Sequence, residues 1–224
     1  MASRHPVDPA TVANLLAGFR RVSQLRNHWA RPGPRAGYYW YITFEESGEV
    51  LRLVRQCQDQ LSFPYYDLVP LPTVHLTLDR IAYYPGTTVE QLTAIASAAR
   101  DYCRTMVPFT VQVAVLTGTA GALGLNVFPP EPVHDLRRVL RAATLSIIPN
   151  APLNRRTFLP HVTVAYANTD GVPTTAAFEV AQQVAALPAA MAQVTSVAMV
   201  RLERHTRSYH WDILATIALG PQSS

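Results

Sequence analysis

Two short apolar segments in opposite halves of the chain share one pattern, a histidine and a threonine separated by one apolar residue: His75-Leu76-Thr77 and His161-Val162-Thr163. Side chains alternate between the two faces of a β-strand, so each histidine shares a face with its threonine. The other five histidines are not followed by Thr or Ser at the second position. Either copy alone is compatible with a half-buried histidine on a strand edge. Together they predict a duplicated fold that brings two imidazoles and two hydroxyls into one place.

Predicted strands and helices interleave around the two motifs. Residues 1–36 are predicted to form an N-terminal extension, with a helix over 9–29 and a linker rich in Pro, Gly and Arg. Residues 37–224 form the main domain, with helices at 45–61, 88–106, 132–144 and 176–187 and strands at 38–44, 67–78, 108–116, 125–128, 157–166, 194–204 and 211–219. Both motif strands alternate in polarity and are bounded by prolines, which disfavours buried parallel strands. We therefore expect an α+β fold with antiparallel sheets.

The composition limits the class of protein. With 224 residues, 49% of them hydrophobic, the chain can bury a substantial core and is too apolar for disorder. No apolar run approaches the roughly 18–20 residues of a membrane span, and the N-terminus lacks the apolar core of a signal peptide. We expect a cytoplasmic monomer with no membrane association. Cys57 and Cys103 lack CxxC spacing, so reduced core thiols are expected.

All 19 basic residues are arginines, and the chain has no lysine. Covalent lysyl-nucleotide chemistry, Schiff bases and P-loops with their phosphate-binding lysine are therefore excluded. The net charge of +4 favours an anionic substrate such as a phosphate compound. Because the arginines are scattered along the sequence, we expect no long nucleic-acid track.

Two histidines facing each other across a cleft can act as general base and general acid, since an ordinary pKa near 6.5 allows one to be neutral and the other protonated. Phosphodiester cleavage needs both roles, and threonine hydroxyls can hold the non-bridging oxygens. We expect no metal or other cofactor, because each motif supplies one metal ligand. Asp79 is the one carboxylate with the parity of His75, and a solvated strand end is an equal alternative for it.

The motifs His75-Leu76-Thr77-Leu78 and His161-Val162-Thr163-Val164 resemble the two signature motifs of the 2H phosphoesterases, which include bacterial 2′-5′ RNA ligases and 2′,3′-cyclic nucleotide phosphodiesterases. The resemblance extends from about Gly37 to the C-terminus. It implies two lobes related by a pseudo-twofold axis with a cleft between them, catalytic roles for the histidines and phosphate binding by the threonines. It also implies hydrolysis of 2′,3′-cyclic phosphates, or reversible formation of 2′-5′ linkages, on a nucleotide or RNA end.

One position departs from this resemblance. Many relatives carry arginine two residues before the second motif histidine, where this chain has Leu159. Arg155 and Arg156 are possible substitutes for the missing phosphate-pairing cation. Aromatic residues available for stacking on a base are Trp40, Tyr84, Tyr166 and Trp211, although core packing is the alternative for each. Tyr166 has the wrong parity relative to His161 and needs a bend in the strand to reach a substrate.

Three functions are therefore compared. The first is a phosphodiesterase that uses His75 and His161 as acid and base. The second is a nucleotide-binding module of the same fold with weak or no catalysis, which the leucine at 159 motivates. The third is a structural or interaction protein in which both motifs are accidental. The motif pair favours the enzyme.

Overall fold

The structure is a computed structural model that describes residues 7–221. Within these residues the helices are α1 (Pro9–Arg20), α2 (Gly48–Asp59), α3 (Val89–Cys103), α4 (Glu131–Ile147) and α5 (Thr175–Val184), with one 3₁₀ turn at Leu71–Thr73. The strands are β1 (Ala36–Thr43), β2 (Tyr66–Leu68), β3 (His75–Tyr83), β4 (Phe109–Gly118), β5 (Ala122–Phe128), β6 (His161–Ala167), β7 (Ala190–Val194), β8 (Ser196–Arg204) and β9 (Tyr209–Ala218).

The strands form two antiparallel sheets with matching organisation. One sheet has the order β3-β1-β8-β9, and the other has the order β2-β6-β5-β4-β7. Apart from the short β2, each sheet starts with the strand that carries a motif, β3 or β6, and these two strands contact each other. The expected α+β fold with two similar antiparallel sheets and flanking helices is confirmed.

Alternation of side chains explains which face of each motif strand is buried. In β6, Val162 and Val164 are fully buried, whereas His161 is exposed and Thr163 partly exposed. Helices α3 and α4 contact the first sheet, and α2 and α5 contact the second. Apolar side chains from both sheets and from the helices pack into one continuous core. Burial of each large apolar side chain contributes about 1.5–3 kcal/mol, so this core fixes the two sheets relative to each other.

Prolines determine where the motif strands begin. The sequence predicts the first motif strand at 67–78, but β3 starts at His75 and continues to Tyr83. Pro70 and Pro72 lack the N–H that a sheet requires, and they place the 3₁₀ turn just before His75. The second motif strand likewise begins directly after Pro160.

The N-terminal extension contains a shorter helix than the predicted 9–29. Helix α1 ends at Arg20, and residues 21–35, which we name the strap, are not helical. They pass from the second sheet to the first, where the N–H of Arg204 on β8 donates to the Arg35 carbonyl at 2.6 Å. The strap is held by backbone hydrogen bonds: Leu25 N–H donates to Val172, Arg26 to Ala120 and His28 to Ala167, each at 2.8 Å. These long-range partners offset the loss of helical hydrogen bonds, which a helical periodicity alone does not reveal.

Two further findings concern the described residues. Between residues 7 and 221, no helix combines the length and apolar character needed to cross a bilayer. Cys57 and Cys103 are both free and buried. Burial raises the pKa of the Cys57 thiol to about 12 and that of Cys103 to about 11, so both are neutral core side chains.

Candidate active site

His75 is held in one orientation by its own backbone. Its Nδ1 lies 2.7 Å from the carbonyl oxygen of Thr73, in the 3₁₀ turn that precedes β3. A carbonyl oxygen can only accept, so Nδ1 carries the proton and donates it. The Nε2 atom of neutral His75 therefore has a free lone pair and is the atom that can take up a proton.

His161 repeats the arrangement in the second sheet. Its Nδ1 lies 2.8 Å from the carbonyl oxygen of Leu159, again two residues earlier. Gly124, on the neighbouring strand β5, leaves room for the ring, because a Cβ there would lie 3.3 Å from His161 Cδ2. Both histidines thus use Nδ1 as an anchor and leave Nε2 for chemistry.

The motif threonines are bound to tyrosines. Thr77 hydrogen-bonds the hydroxyl of Tyr41, which lies directly opposite it on β1. Thr163 hydrogen-bonds the hydroxyl of Tyr166 on its own strand. Burial raises the pKa of both phenols well above their usual value of 10, so both tyrosines keep their protons. The hydrogen bond to each threonine lowers the phenol pKa, as expected for a threonine hydroxyl that donates to the tyrosine oxygen. A bound anion can accept this threonine proton in place of the tyrosine oxygen.

A β-bulge follows each motif threonine. The pairing of β1 with β3 skips Leu78, and the pairing of β5 with β6 skips Val164. A bulge adds one residue to a strand and so reverses the alternation beyond it. In β6 this brings Tyr166 to the same side as Thr163, which supplies the bend that the sequence parity required.

The surroundings of the two histidines differ. Tyr41 stacks on His75 with ring centroids 3.9 Å apart, and the Trp211 ring approaches edge-on at 6.1 Å. Burial is the main cause that lowers the pKa of His75 to about 4, and a charge on His161 lowers it further. The two histidines lie on strands that contact each other, β3 and β6. His161 is exposed, so the pair combines one enclosed imidazole with one that faces solvent.

A cavity opens beside His75, and four Trp and Tyr side chains form part of its wall, together with apolar residues, Asp67 and Arg207. Its lining includes Trp29, Thr73, His75, Tyr166, Tyr209 and Trp211. Trp29 comes from the strap, and the centroid of its ring lies 5.2 Å from the ring centroids of both Tyr166 and Tyr209. Aromatic faces of this kind suit the stacking of a nucleobase or the cover of a ribose.

A family model described as the 2′-5′ RNA ligase superfamily matches residues 43–206, which is more than half of the chain. The protein belongs to this superfamily. The matched range contains both histidine motifs and the bulges that follow them. A comparison with curated proteins finds no match.

Solved structures support the fold of this superfamily member. It resembles TT0787 of Thermus thermophilus, with 18% identity, a TM-score of 0.64, and coverage of 84% of this chain and 100% of that chain. It also resembles Escherichia coli LigT in its apo form, with 16% identity, a TM-score of 0.60, and coverage of 84% and 99%. ATU0111 from Agrobacterium tumefaciens is 14% identical, with a TM-score of 0.55 and coverage of 84% and 88%. At such identities the likeness shows the fold alone.

Two predicted substrate contacts, Trp40 and Tyr84, lie away from this cavity, and the predicted face of Asp79 is corrected. Trp40 is fully buried in the core, and its Nε1 donates to Thr144 Oγ1 at 3.1 Å, so it is not a substrate contact. Tyr84 lies beyond the far end of β3, where it packs under the guanidinium of Arg201. Asp79 does not share the face of His75, because the bulge at Leu78 reverses the alternation before it.

Asp79 has a structural role instead. It is buried and pairs with Arg137 at 3.0 Å and Arg141 at 2.6 Å, both on α4. Its carboxylate also accepts the backbone N–H of Asn154 at 2.9 Å, so it fixes the loop that leads to the second motif strand. It is thus neither a metal ligand beside His75 nor a solvated strand end.

The two arginines predicted to pair with a phosphate keep that role as a prediction. Arg155 and Arg156 are exposed on that loop, and within residues 7–221 their guanidinium groups make no hydrogen bond or ion pair. Leu159 is 66% exposed directly before Pro160. In the same part of the chain, no three His, Cys, Asp or Glu side chains are grouped as metal ligands.

The sequence interpretation missed Tyr41, Trp29 and Tyr209. Tyr41 belongs to a run of aromatic residues that indicates a strand but does not show which side chain faces a histidine on another strand. Trp29 falls at the end of the longer helix that the periodicity predicts. Tyr209 precedes the predicted start of the last strand, whose observed start is Tyr209 itself.

Proposed function

We propose that this superfamily member is a phosphodiesterase that opens 2′,3′-cyclic phosphates or cleaves 2′-5′ linkages on nucleotides or RNA ends, with His75 as general base and His161 as general acid. The observation that carries the proposal is the matched anchoring of two imidazoles through Nδ1, at 2.7 and 2.8 Å, which leaves two Nε2 atoms for proton transfer. The motif threonines beside them supply hydroxyl donors for a phosphate.

The assignment of roles rests on the unequal surroundings of the histidines. The pKa of about 4 keeps His75 neutral at pH 7, as a base requires.

His75 Nε2 takes a proton from water as the water oxygen bonds to phosphorus. The phosphorus bond to the ribose oxygen breaks, and Nε2–H of His161 protonates that oxygen. Thr77 and Thr163 donate to the non-bridging oxygens, where negative charge increases. If the 5′-hydroxyl of a second nucleotide takes the place of water, the same steps form a bond from that oxygen to phosphorus, break the bond to the 3′ oxygen of the cyclic phosphate, and yield a 2′-5′ linkage.

Two supporting observations concern the substrate. Escherichia coli LigT has been solved in complexes with 3′-AMP, with NADP+ and with ATP, so that protein binds nucleotides. The cavity beside His75 offers this chain the aromatic walls that a nucleoside needs.

The test is turnover of 2′,3′-cyclic AMP and of a 2′-5′-linked diadenylate in the presence of EDTA. We expect hydrolysis of at least one substrate, and a loss of kcat of roughly 100-fold or more for His75→Ala and for His161→Ala. His210→Ala, in the exposed hairpin, is the matched control and should keep wild-type activity. Thr77→Val and Thr163→Val should cost less than either histidine change. Near wild-type activity in either histidine variant would exclude the acid–base pair.

A second candidate is a nucleotide-binding module without efficient catalysis. The exposed Leu159, in the place of a phosphate-pairing arginine, favours it. Calorimetry with adenosine 3′-monophosphate separates the candidates, since tight binding by a folded protein that turns over neither substrate selects the module.

A further inference from the structure

A second cavity lies beside the candidate active site, between the strap and the turn that joins β8 to β9. We name it the strap pocket. Its lining includes Asn27, Trp29, Arg35, Arg204, His205 and Arg207. The strap lies before the range that the family model matches, residues 43–206.

The wall that the strap contributes is fixed in place. Trp29 Nε1 donates to Asp67 Oδ2 at 2.8 Å, and Arg207 Nε donates to the same oxygen at 2.9 Å. Asn168 Nδ2 donates to the other oxygen of Asp67 at 3.0 Å. One carboxylate therefore joins the strap, β2, the loop after β6 and the hairpin turn. The pocket is a built feature of the fold, because four separate segments meet at Asp67.

The pocket has an excess of positive charge. Arg207 is neutralised by Asp67, whereas among the residues that the structure describes the Arg204 side chain donates only to the backbone carbonyls of Arg31 and Gly33. Arg35 is exposed and makes no side-chain hydrogen bond or ion pair within residues 7–221. The positive charge also affects the neighbouring His28. Its pKa is lowered to about 3, mainly by burial and further by the charges of Arg31 and Arg204.

The two cavities share walls. Trp29 and Arg207 line both the strap pocket and the cavity beside His75. A ligand whose reacting phosphate lies at the histidines can therefore extend past Trp29 into the strap pocket. Arginine guanidinium groups favour phosphate oxygens, since the group is planar, permanently charged and rich in donors.

We propose that the strap pocket binds a second phosphate of the substrate, through Arg35 and Arg204, so that the preferred substrate carries a phosphate separate from the one placed between the histidines. This inference rests on the proposed function of the neighbouring site. The second phosphate has two possible sources with the same chemistry: a 5′-phosphate on the reacting nucleotide, or the phosphodiester that links it to a preceding nucleotide.

Equilibrium binding tests the second phosphate site and does not depend on turnover. Calorimetry compares three non-reactive ligands: adenosine 3′-monophosphate, adenosine 3′,5′-bisphosphate and a diadenylate ending in a 3′-monophosphate. We expect the wild-type protein to bind at least one of the last two roughly tenfold more tightly than the first, the value of about one charge-assisted contact. The ligand that binds more tightly than adenosine 3′-monophosphate identifies the source of the second phosphate.

Variants decide whether the strap pocket causes the gain. Arg35→Gln should remove most of the tenfold difference and leave the affinity for adenosine 3′-monophosphate unchanged. Arg55→Gln, an exposed arginine on α2, is the matched control and should keep the difference. Equal affinity of the wild-type protein for all three ligands, or a difference that survives Arg35→Gln, would overturn the proposal. Absent turnover with this binding pattern intact would instead count against the proposed catalysis and leave the subsite established.

Discussion

Protonation of His75 is the perturbation for which the structure gives the most direct magnitude. Burial against Tyr41 and Trp211 lowers the pKa of His75 from 6.5 to about 4. Between these two values the unfolded chain binds a proton that the folded protein does not. Stability therefore falls as the pH is lowered from about 6.5 to about 4, and this contribution is constant below that range.

The size of the stability change follows from the difference between the pKa of His75 in the unfolded and in the folded protein. At about 1.4 kcal/mol per pH unit, the interval from 6.5 to about 4 corresponds to about 3 kcal/mol. The ring is partly exposed, and solvent contact reduces the expected value to about 2 kcal/mol. His75→Gln removes the titrating group, so this variant should lose about 2 kcal/mol less stability than the wild-type protein between pH 7 and pH 4.

The assay is urea denaturation at a series of pH values for both proteins. Other titrating groups act in both, including His28 with its pKa of about 3, so the difference between the two curves isolates His75. His210→Gln controls for the removal of a histidine from an exposed strand and should follow the wild-type curve. Parallel curves for wild type and His75→Gln would refute the reasoning, as would an NMR titration that shows His75 ionising near pH 6.5 in the folded protein.

The remaining predictions concern the shell around the site. Asp79→Asn should lower the free energy of unfolding by about 2–4 kcal/mol in urea denaturation, because Arg137 and Arg141 lose a buried partner. Asp135→Asn, which breaks an exposed pair with Arg138, should cost under about 1 kcal/mol, and an equal cost for both would contradict the distinction. Gly124→Ala should lower kcat about tenfold in the cyclic-phosphate assay by displacing the His161 ring. Gly48→Ala, with nothing within 4 Å, should leave kcat unchanged, and a Gly124→Ala enzyme with full kcat would show that the ring adapts.

The sequence predicted the fold class and the motif strands because both depend on local alternation. Val162 and Val164 are buried and His161 is exposed, as a period of two requires. The same rule placed Asp79 beside His75 and Tyr166 away from His161. The placement of Asp79 was wrong, and the bend that Tyr166 needs is present, for the same reason: a bulge after each threonine reverses the alternation, and bulges depend on pairing with another strand.

Long-range packing decides the parts of the site that the sequence did not reveal. Tyr41 reaches His75 through the register of β1 on β3, and Trp29 reaches the cavity because the strap hydrogen-bonds to residues more than 90 positions away, such as Ala120 and Val172. A helical periodicity continued past Arg20 in the sequence, but the backbone partners of the strap outweighed it. Tertiary contacts override weak local propensity in this segment.

Two similar sheets carry two identically anchored histidines, but acid–base catalysis needs the two to differ at the same pH. The backbone supplies the similarity: each Nδ1 donates to the carbonyl two residues earlier, and each threonine is followed by a bulge. The difference comes from what covers each ring. Tyr41 and Trp211, both from the first sheet, enclose His75 and hold it neutral, whereas Gly124 beside His161 contributes no side chain. This asymmetric cover on a symmetric frame is the basis of the proposed roles, because the imidazole whose pKa is lowered to about 4 is the one that lines the cavity and is therefore proposed as the base.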